Sequence, residues 1–376
     1  MGPLVDFSPT LRLLLLAAVG ALLPLAWVWL RRRRGHAQTR LALLTGVTLF
    51  LTFDLIVFGS FTRLTDSGLG CPDWPGCYGH ASPLGAETPI AQAEAALPSG
   101  PVTESKAWIE MIHRYLAMVV GALCLVMTAA SWVDRRNLPH SPWWPTFTLL
   151  WVIVQGLFGK FTVTLQLYPA IVTLHLLGGL FLLALLAVQR ESFLARPLAL
   201  PAPLRRGAIA VLALLALQIA LGGWVSTNYA VLACSGFPQC NGQWWPDADF
   251  ANGFALLRDL GHTASGELLP FQALVAIHFV HRLFAVVVVV AAVMLAVGLL
   301  QRPHAGLQRW GHGLLALLTA QFATGLSNVV LQWPIVAALL HSAGAAALVL
   351  LLTLLLARSA VATAPVRQAR PVAGLA

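Results

Sequence analysis

Nine apolar runs, each long enough to cross a lipid bilayer, limit what this chain can fold into. They fall at about residues 11–30, 41–62, 107–132, 146–165, 170–189, 207–226, 273–300, 310–331 and 335–357. A transmembrane helix needs about 20 mostly apolar residues, and a backbone in lipid must satisfy its own hydrogen bonds. Only 10% of the residues are charged, against about 25% in a soluble domain. The sequence therefore predicts an all-α polytopic membrane protein.

The net charge of +9 reflects where the basic residues lie. Sixteen of the 23 Lys and Arg residues fall in the segments 31–40, 133–145, 190–206, 301–309 and 358–376. Cytoplasmic loops of membrane proteins carry such an excess. We therefore predict that these segments are cytoplasmic, that both long polar loops are outside, and that nucleic acid is not a partner. The arginines after the first run indicate a retained helix and not a cleaved signal peptide.

The second to ninth runs form an internal repeat. Gly59, Cys71 and Cys77 recur 163 positions later as Gly222, Cys234 and Cys240, while His113 recurs as His281, Pro169 as Pro334 and His175 as His341 at offsets of 165 to 168. The pattern predicts two tandem four-helix bundles of the same orientation, related by a pseudo-twofold axis along the membrane normal. We assign residues 41–195 and 196–376 to these bundles, after an extra N-terminal helix and basic segment at 1–40.

Four of the histidines inside the apolar runs form two matched pairs. His113 and His175 fall on the second and fourth helices of the first bundle, and His281 and His341 on the equivalent helices of the second. In an up-down bundle these helices are parallel and face each other across the core. At 1.5 Å per residue, all four histidines lie roughly 8–12 Å from the outer helix ends. Two imidazoles in this arrangement are typical of heme ligands.

Two other interpretations of the histidines fit the pattern less well than heme does. Zinc is disfavoured because no further Cys, Asp or Glu accompanies each pair at the same depth. Hydrogen bonding between core helices would explain a single buried histidine better than it explains two matched pairs.

Charged residues flank each leading histidine. Glu110 lies three positions before His113 and shares its helix face, whereas His278 occupies the equivalent place before His281. Ionisable groups at membrane depth are costly and are candidates for function. Arg114 and Arg282 follow the histidines and could bind heme propionates, since arginine forks onto carboxylates. They could equally be helix-end residues whose charge reaches the interface.

The outer loops each contain one C-x5-C pair. Because the external side is oxidising, we predict disulfides between Cys71 and Cys77 and between Cys234 and Cys240. These either staple the loops or provide a redox relay, since exposed disulfides can be labile. Cys124 lies within a helix and is predicted to be a small apolar residue.

These residues resemble the heme A synthase family, the heme O oxidases of bacterial and mitochondrial membranes. The matching stretches are Gly59–Cys77, Glu110–Arg114, Gly222–Asn228, His278–Arg282 and Asn328–Pro334 up to His341. The resemblance covers about residues 41–357 and does not require the first helix. It implies substrate heme O between His113 and His175, a resident heme b between His281 and His341, and a role in catalysis for Glu110.

The resemblance also implies the reaction and its partners. A methyl group of heme O is oxidised to the formyl group of heme A, by successive hydroxylation and loss of water. A heme O synthase, which is a prenyltransferase, supplies the substrate, an electron donor is needed, and the product serves the assembly of heme-copper oxidases. The implied location is the cytoplasmic (inner) membrane.

The residues alone leave two further functions open. A diheme b-type cytochrome could pass electrons from quinol without oxidising a substrate, and it would need no Glu110. A heme carrier would be expected to have broken helices and a site at the membrane midplane. Within the synthase interpretation, Glu110 could transfer a proton or stabilise or trap a cationic carbon on the macrocycle.

Overall fold

The computed structural model describes residues 8–31, 36–138 and 140–363. The α-helices of this part of the chain are, in order, α1 (Ser8–Arg31), α2 (Ala37–Leu64), α3 (Glu87–Ala96), α4 (Glu104–Val133), α5 (Trp143–Thr164), α6 (Pro169–Leu194), α7 (Ala202–Thr227), α8 (Phe250–Gly253), α9 (Phe271–Leu300), α10 (Ala305–Val330) and α11 (Ile335–Thr363). Among them, nine are long and apolar enough to cross a membrane, and α3 and α8 are short loop helices. The predicted all-α polytopic fold and its nine spans are confirmed.

The helices extend beyond the apolar runs by up to six residues. Helix α4 begins at Glu104 because Thr103 caps it, its hydroxyl accepting a hydrogen bond of 3.3 Å from the backbone N–H of Lys106. His304 caps α10 in the same way, accepting from the backbone N–H of Leu307. Polar residues at the interface thus continue the helices that the apolar runs begin.

The spanning helices pack as two closed rings. In the first ring α2 contacts α4 and α6, and α5 contacts the same two helices. In the second ring α7 contacts α9 and α11, and α10 contacts the same two helices. The rings meet where α6 packs against α7 and α11 and where α11 packs against α2. The division at residues 41–195 and 196–376 and the pseudo-twofold symmetry both stay predictions.

Helix α1 lies outside both rings. It packs against α4 and α2, and its buried side chains include Leu13 and Ala17. Several large side chains on its other face are exposed, among them Leu23 and Leu30, as expected for a helix in contact with lipid.

A buried ion pair joins the rings at the end opposite the long loops. Glu191 on α6 is 0% exposed and accepts hydrogen bonds from Arg358 on α11 at 3.0 Å and from its neighbour Arg190 at 3.3 Å. A buried charge is tolerated when it is paired in this way. Five basic residues of the predicted cytoplasmic segments, namely Arg32, Arg33, Arg34, Arg367 and Arg370, lie outside the described residues.

Candidate functional site

The first ring brings His113 and His175 together. His113 lies nine residues into α4 and His175 six residues into α6, which places them roughly 9–14 Å from those helix ends at 1.5 Å per residue. The two imidazoles are close enough to interact electrostatically. They lie slightly deeper than the apolar runs predicted, because α4 begins three residues earlier than its run.

The second ring brings His281 and His341 together in the same way. His281 lies ten residues into α9 and His341 six residues into α11, roughly 9–15 Å from the helix ends. These imidazoles also interact electrostatically. Each ring thus holds one pair of imidazoles at similar depth.

A glycine of a neighbouring helix faces every one of these imidazoles. In the first ring, a Cβ atom added to Gly59 would lie 2.8 Å from the ring of His113, and one added to Gly159 would lie 3.7 Å from the ring of His175. In the second ring, the distances are 3.0 Å from Gly222 to His281 and 2.9 Å from Gly325 to His341. Two of the four distances are below 3.0 Å, and at the 3.0 Å contact the imidazole would have to shift by a few tenths of an ångström. Glycine is therefore needed where the helix backbone approaches the ring closely.

Hydrogen bonds orient both imidazoles of the second pair. The side-chain amide of Gln218 lies 3.1 Å from Nδ1 of His281. Nδ1 of His341 lies 3.2 Å from the backbone oxygen of Gln321 and 3.2 Å from the hydroxyl of Thr324. At His341 the Nδ1 proton is donated to the backbone oxygen of Gln321, which fixes the tautomer and leaves Nε2 with its lone pair, as in many metal-binding histidines. At His281 the amide nitrogen of Gln218 donates to Nδ1 instead. The side-chain amide of Gln321 approaches Nε2 of His341 at 3.3 Å.

The first pair has no such support within the described residues. Nδ1 of His175 is buried without a hydrogen-bond partner. His113 instead stacks against Phe58, with ring centroids 6.4 Å apart and an interplanar angle of 10°. Leu55 occupies the position equivalent to Gln218 at the repeat offset of 163. The two pairs therefore share their helices and depth but differ in how firmly their rings are held.

Glu110 connects the first pair to the first disulfide loop. Its side chain is buried, with the residue only 4% exposed, and Oε2 accepts a hydrogen bond of 2.8 Å from the backbone N–H of Cys71. Oε1 forms an ion pair with Arg114, one helical turn further along α4. The carboxylate is thus held at a fixed place beside the helix face that carries His113.

Arg114 and Arg282 both bind the backbone of a C-x5-C loop. Arg114 donates from Nη1 to the carbonyl oxygens of Asp73 at 2.9 Å, Pro75 at 3.2 Å and Gly76. Arg282 donates to the carbonyl oxygens of Cys234, Gly236 and Gln239, and its Nε lies 3.3 Å from Nε2 of His278. Sequence reasoning missed these contacts, because backbone carbonyls leave no residue-specific signal. A propionate role for either arginine stays a prediction.

Both loop cysteine pairs are disulfides in the structure. Cys71 is bonded to Cys77 and Cys234 to Cys240, while Cys124 is free and buried. Arg114 holds the first disulfide loop against α4, and Arg282 holds the second disulfide loop against α9. The choice between loop staple and redox relay stays open.

The donor set suits heme better than a bare metal ion. Across the described residues, no group of three or more His, Cys, Asp and Glu side chains is arranged to hold an ion. Paired imidazoles without further ligands instead match the two axial positions of a heme iron. The glycine contacts and the hydrogen bond that Nδ1 of His341 donates to Gln321 fit the same group.

These features define a helical membrane protein with two paired-histidine sites, each enclosed by four spans. The chain belongs to the family described as Cytochrome oxidase assembly protein, whose profile matches residues 42–353. It is 36% identical over 321 residues to the Heme A synthase of Shewanella oneidensis, covering 83% of this chain and 94% of that protein.

More distant relatives carry the same name. The Heme A synthase of Sphingopyxis alaskensis is 30% identical over 327 residues, covering 80% of this chain and 86% of the relative. That of Halalkalibacterium halodurans is 26% identical over 299 residues, covering 77% and 86%. The matched region begins after α1, so the family match does not include the extra helix.

Proposed function

We propose that this chain is a heme A synthase, an oxidoreductase that converts the methyl group of heme O into the formyl group of heme A. The observation that carries the proposal is the inequality of the two histidine pairs. Among the described residues, only the first pair has a buried carboxylate, Glu110, one turn away on the same helix. A protein that only relayed electrons between two hemes would not need this difference.

The pairs take different hemes in this proposal. The substrate heme O binds between His113 and His175, whose rings have few fixed contacts and can adjust as substrate enters and product leaves. The resident heme b binds between His281 and His341, whose rings are oriented by Gln218, Gln321 and Thr324. When bound, heme b supplies a one-electron redox centre to the enzyme.

Glu110 is the residue proposed to act on the reacting side of the substrate. The Cys71 N–H and the Arg114 guanidinium hold its two oxygens. The carboxylate can accept or return a proton during oxidation of the methyl group, or its charge can stabilise a cationic carbon. Arg114 positions Glu110 and the disulfide loop together.

The enzyme is proposed to lie in the cytoplasmic membrane with both disulfide loops on the outer side. This orientation follows from the basic residues at the opposite helix ends. A prenyltransferase that makes heme O would supply the substrate, and the product would serve the assembly of heme-copper oxidases. The electron donor is proposed to act at the resident heme of the second ring.

The proposal is tested by expressing the chain in bacteria that make heme O but lack a heme A synthase of their own. Hemes extracted from the membranes and separated by chromatography should include heme A. The control is the variant His175→Ala. Membranes of cells that express this variant should accumulate unconverted heme O. A protein that binds only heme b and yields no heme A would instead be a diheme cytochrome.

A further inference from the structure

Arg258, in the loop between α8 and α9, is a buried cation without an anionic partner. The residue is 3% exposed. Its Nη2 donates to Oδ1 of Asn228 at 2.6 Å, its Nη1 donates to the backbone oxygen of His262 at 3.3 Å, and its guanidinium lies 5.5 Å from the ring centroid of Trp224. Nε is buried without a partner. Among the described residues, no carboxylate forms an ion pair with Arg258.

Arg258 also lines a cavity of about 440 Å³, together with Tyr168, Asp259, His262 and Thr263. Asp259 contributes to the same wall but forms no ion pair with Arg258, so the charge of the arginine is not neutralised there. Burying a charge without a counter-ion is costly, and burial lowers the pKa of Arg258. Since a guanidinium presents a fork of donors that matches a carboxylate, such a group would complete the site.

One lining residue of the cavity, Tyr168, adjoins the helix that carries a histidine of the first pair. Tyr168 immediately precedes α6, whose His175 follows seven residues later, roughly 10 Å along the helix. Helices α6 and α7 touch through the hydroxyls of Thr173 and Thr227, 3.4 Å apart. By contrast, neither α9 nor α11, which carry the second pair, lines the cavity.

We propose that the Arg258 cavity binds a carboxylate, and that in the working enzyme this carboxylate is a propionate of the heme held between His113 and His175. The proposal rests on the proposed function, because it requires heme at the first pair. It assigns to the second half of the chain a residue that positions the substrate in the first half. Arg258 is then a binding residue and not a catalytic one.

The test compares two probes on the full-length protein in detergent with its resident heme retained. The probes are hemin and hemin dimethyl ester, in which both carboxylates are blocked, and dissociation constants are measured by absorbance titration. Arg258→Met should weaken hemin binding by roughly tenfold to hundredfold, as expected for a lost charge-assisted hydrogen bond. Binding of the diester should not change. Arg258→Lys should recover only part of the hemin affinity, since lysine lacks the fork.

Two controls distinguish a propionate contact from a general change in the charge of the cavity or in the fold. Asp259→Asn, which removes the opposite charge from the same cavity, should not weaken hemin binding. In a His175→Ala background the effect of Arg258→Met should disappear. The inference is overturned if Arg258→Met leaves hemin binding unchanged or weakens both probes equally, or if its effect persists without His175. Failure of the wild type to make heme A in cells would reject the proposed function through a separate measurement.

Discussion

Arg63 on α2 donates a hydrogen bond of 2.7 Å to the backbone oxygen of Ser226 on α7, one repeat away at a separation of 163 residues. Asp66 and Tyr229 have the same separation, and the phenol of Tyr229 donates to the carboxylate of Asp66. Residues that contact their own repeat counterparts lie close to the axis relating two copies. These contacts therefore join the two rings at the end where the disulfide loops lie.

The Arg63 contacts should stabilise the association of the two rings. Besides Ser226, the guanidinium stacks on Tyr229, 4.0 Å from the ring centroid. Arg63→Met should lower the free energy of unfolding by about 1.5–3 kcal/mol, the range for hydrogen bonds to charged groups. Thermal unfolding of purified protein measures the change, with Arg136→Met at an exposed loop position as control. Equal melting temperatures for the two variants would argue against a role at the ring interface.

The glycines facing the imidazoles should control heme occupancy one site at a time. Gly222→Ala should displace the ring of His281 and lower the content of heme b, because the added Cβ would lie 3.0 Å from that ring. Gly59→Ala should act in the same way on the substrate pair. The measurement is the heme content per protein after purification.

A matched control for these variants is Gly121→Ala on α4, where an added Cβ meets nothing within 4 Å. This variant should keep both hemes, and alanine should suit the helix at least as well as glycine does. Equal heme loss in Gly121→Ala and Gly222→Ala would show that the contact with the imidazole is not the cause.

Gln218 should tune the resident heme through His281. Gln218→Leu gives the second ring the residue that the first ring has at the equivalent position, Leu55. Loss of a hydrogen bond to a metal-binding histidine typically costs tenfold to hundredfold in affinity, so heme b should dissociate about that much more readily. The electron paramagnetic resonance signal of heme b should also shift as its ligand ring reorients. An unchanged signal and affinity would contradict this role.

Glu110→Gln tests the carboxylate without removing its place in the structure. The amide oxygen can still accept from the Cys71 N–H, so the loop should remain in position and both hemes should bind. Conversion of heme O to heme A should fall by roughly a hundredfold or more, the scale of a lost acid–base group. The assay follows heme A formed per bound heme O in membranes.

Glu110→Ala is a less selective change, because it leaves both the Arg114 guanidinium and the Cys71 N–H without any side-chain acceptor, whereas glutamine keeps one oxygen. It should impair both turnover and loop order. If Glu110→Gln turns over at the wild-type rate with equal heme loading, neither charge nor proton transfer at this position is needed.

The sequence predicted the spans and the paired histidines because both follow simple rules of spacing and hydropathy. Apolar length identifies a span, and the repeat offset brings His113 and His281 into correspondence without any knowledge of contacts. The helix starts were predicted less well, since Glu104 and Lys106 are polar but belong to α4 through the cap at Thr103.

The contacts around the site could not be predicted in the same way. Arg114 and Arg282 bind backbone carbonyls, which are present at every residue and mark no partner. Arg258 and Asn228 come together only because the loop between α8 and α9 folds back over the end of α7. The sequence does contain one signal of the glycine–imidazole contacts. Gly159 and Gly325 have the same 166-residue offset as the histidines they face, His175 and His341.

The central claim is that two histidine pairs hold two different hemes for one oxidation. The most direct test is chromatography of hemes extracted from purified wild-type, His175→Ala and His341→Ala proteins, made in cells that supply heme O. The wild type should contain heme b together with heme O or heme A. His175→Ala should retain heme b alone, and His341→Ala should lose heme b. Heme b as the sole heme of the wild type, or the same heme loss in both variants, would contradict the claim.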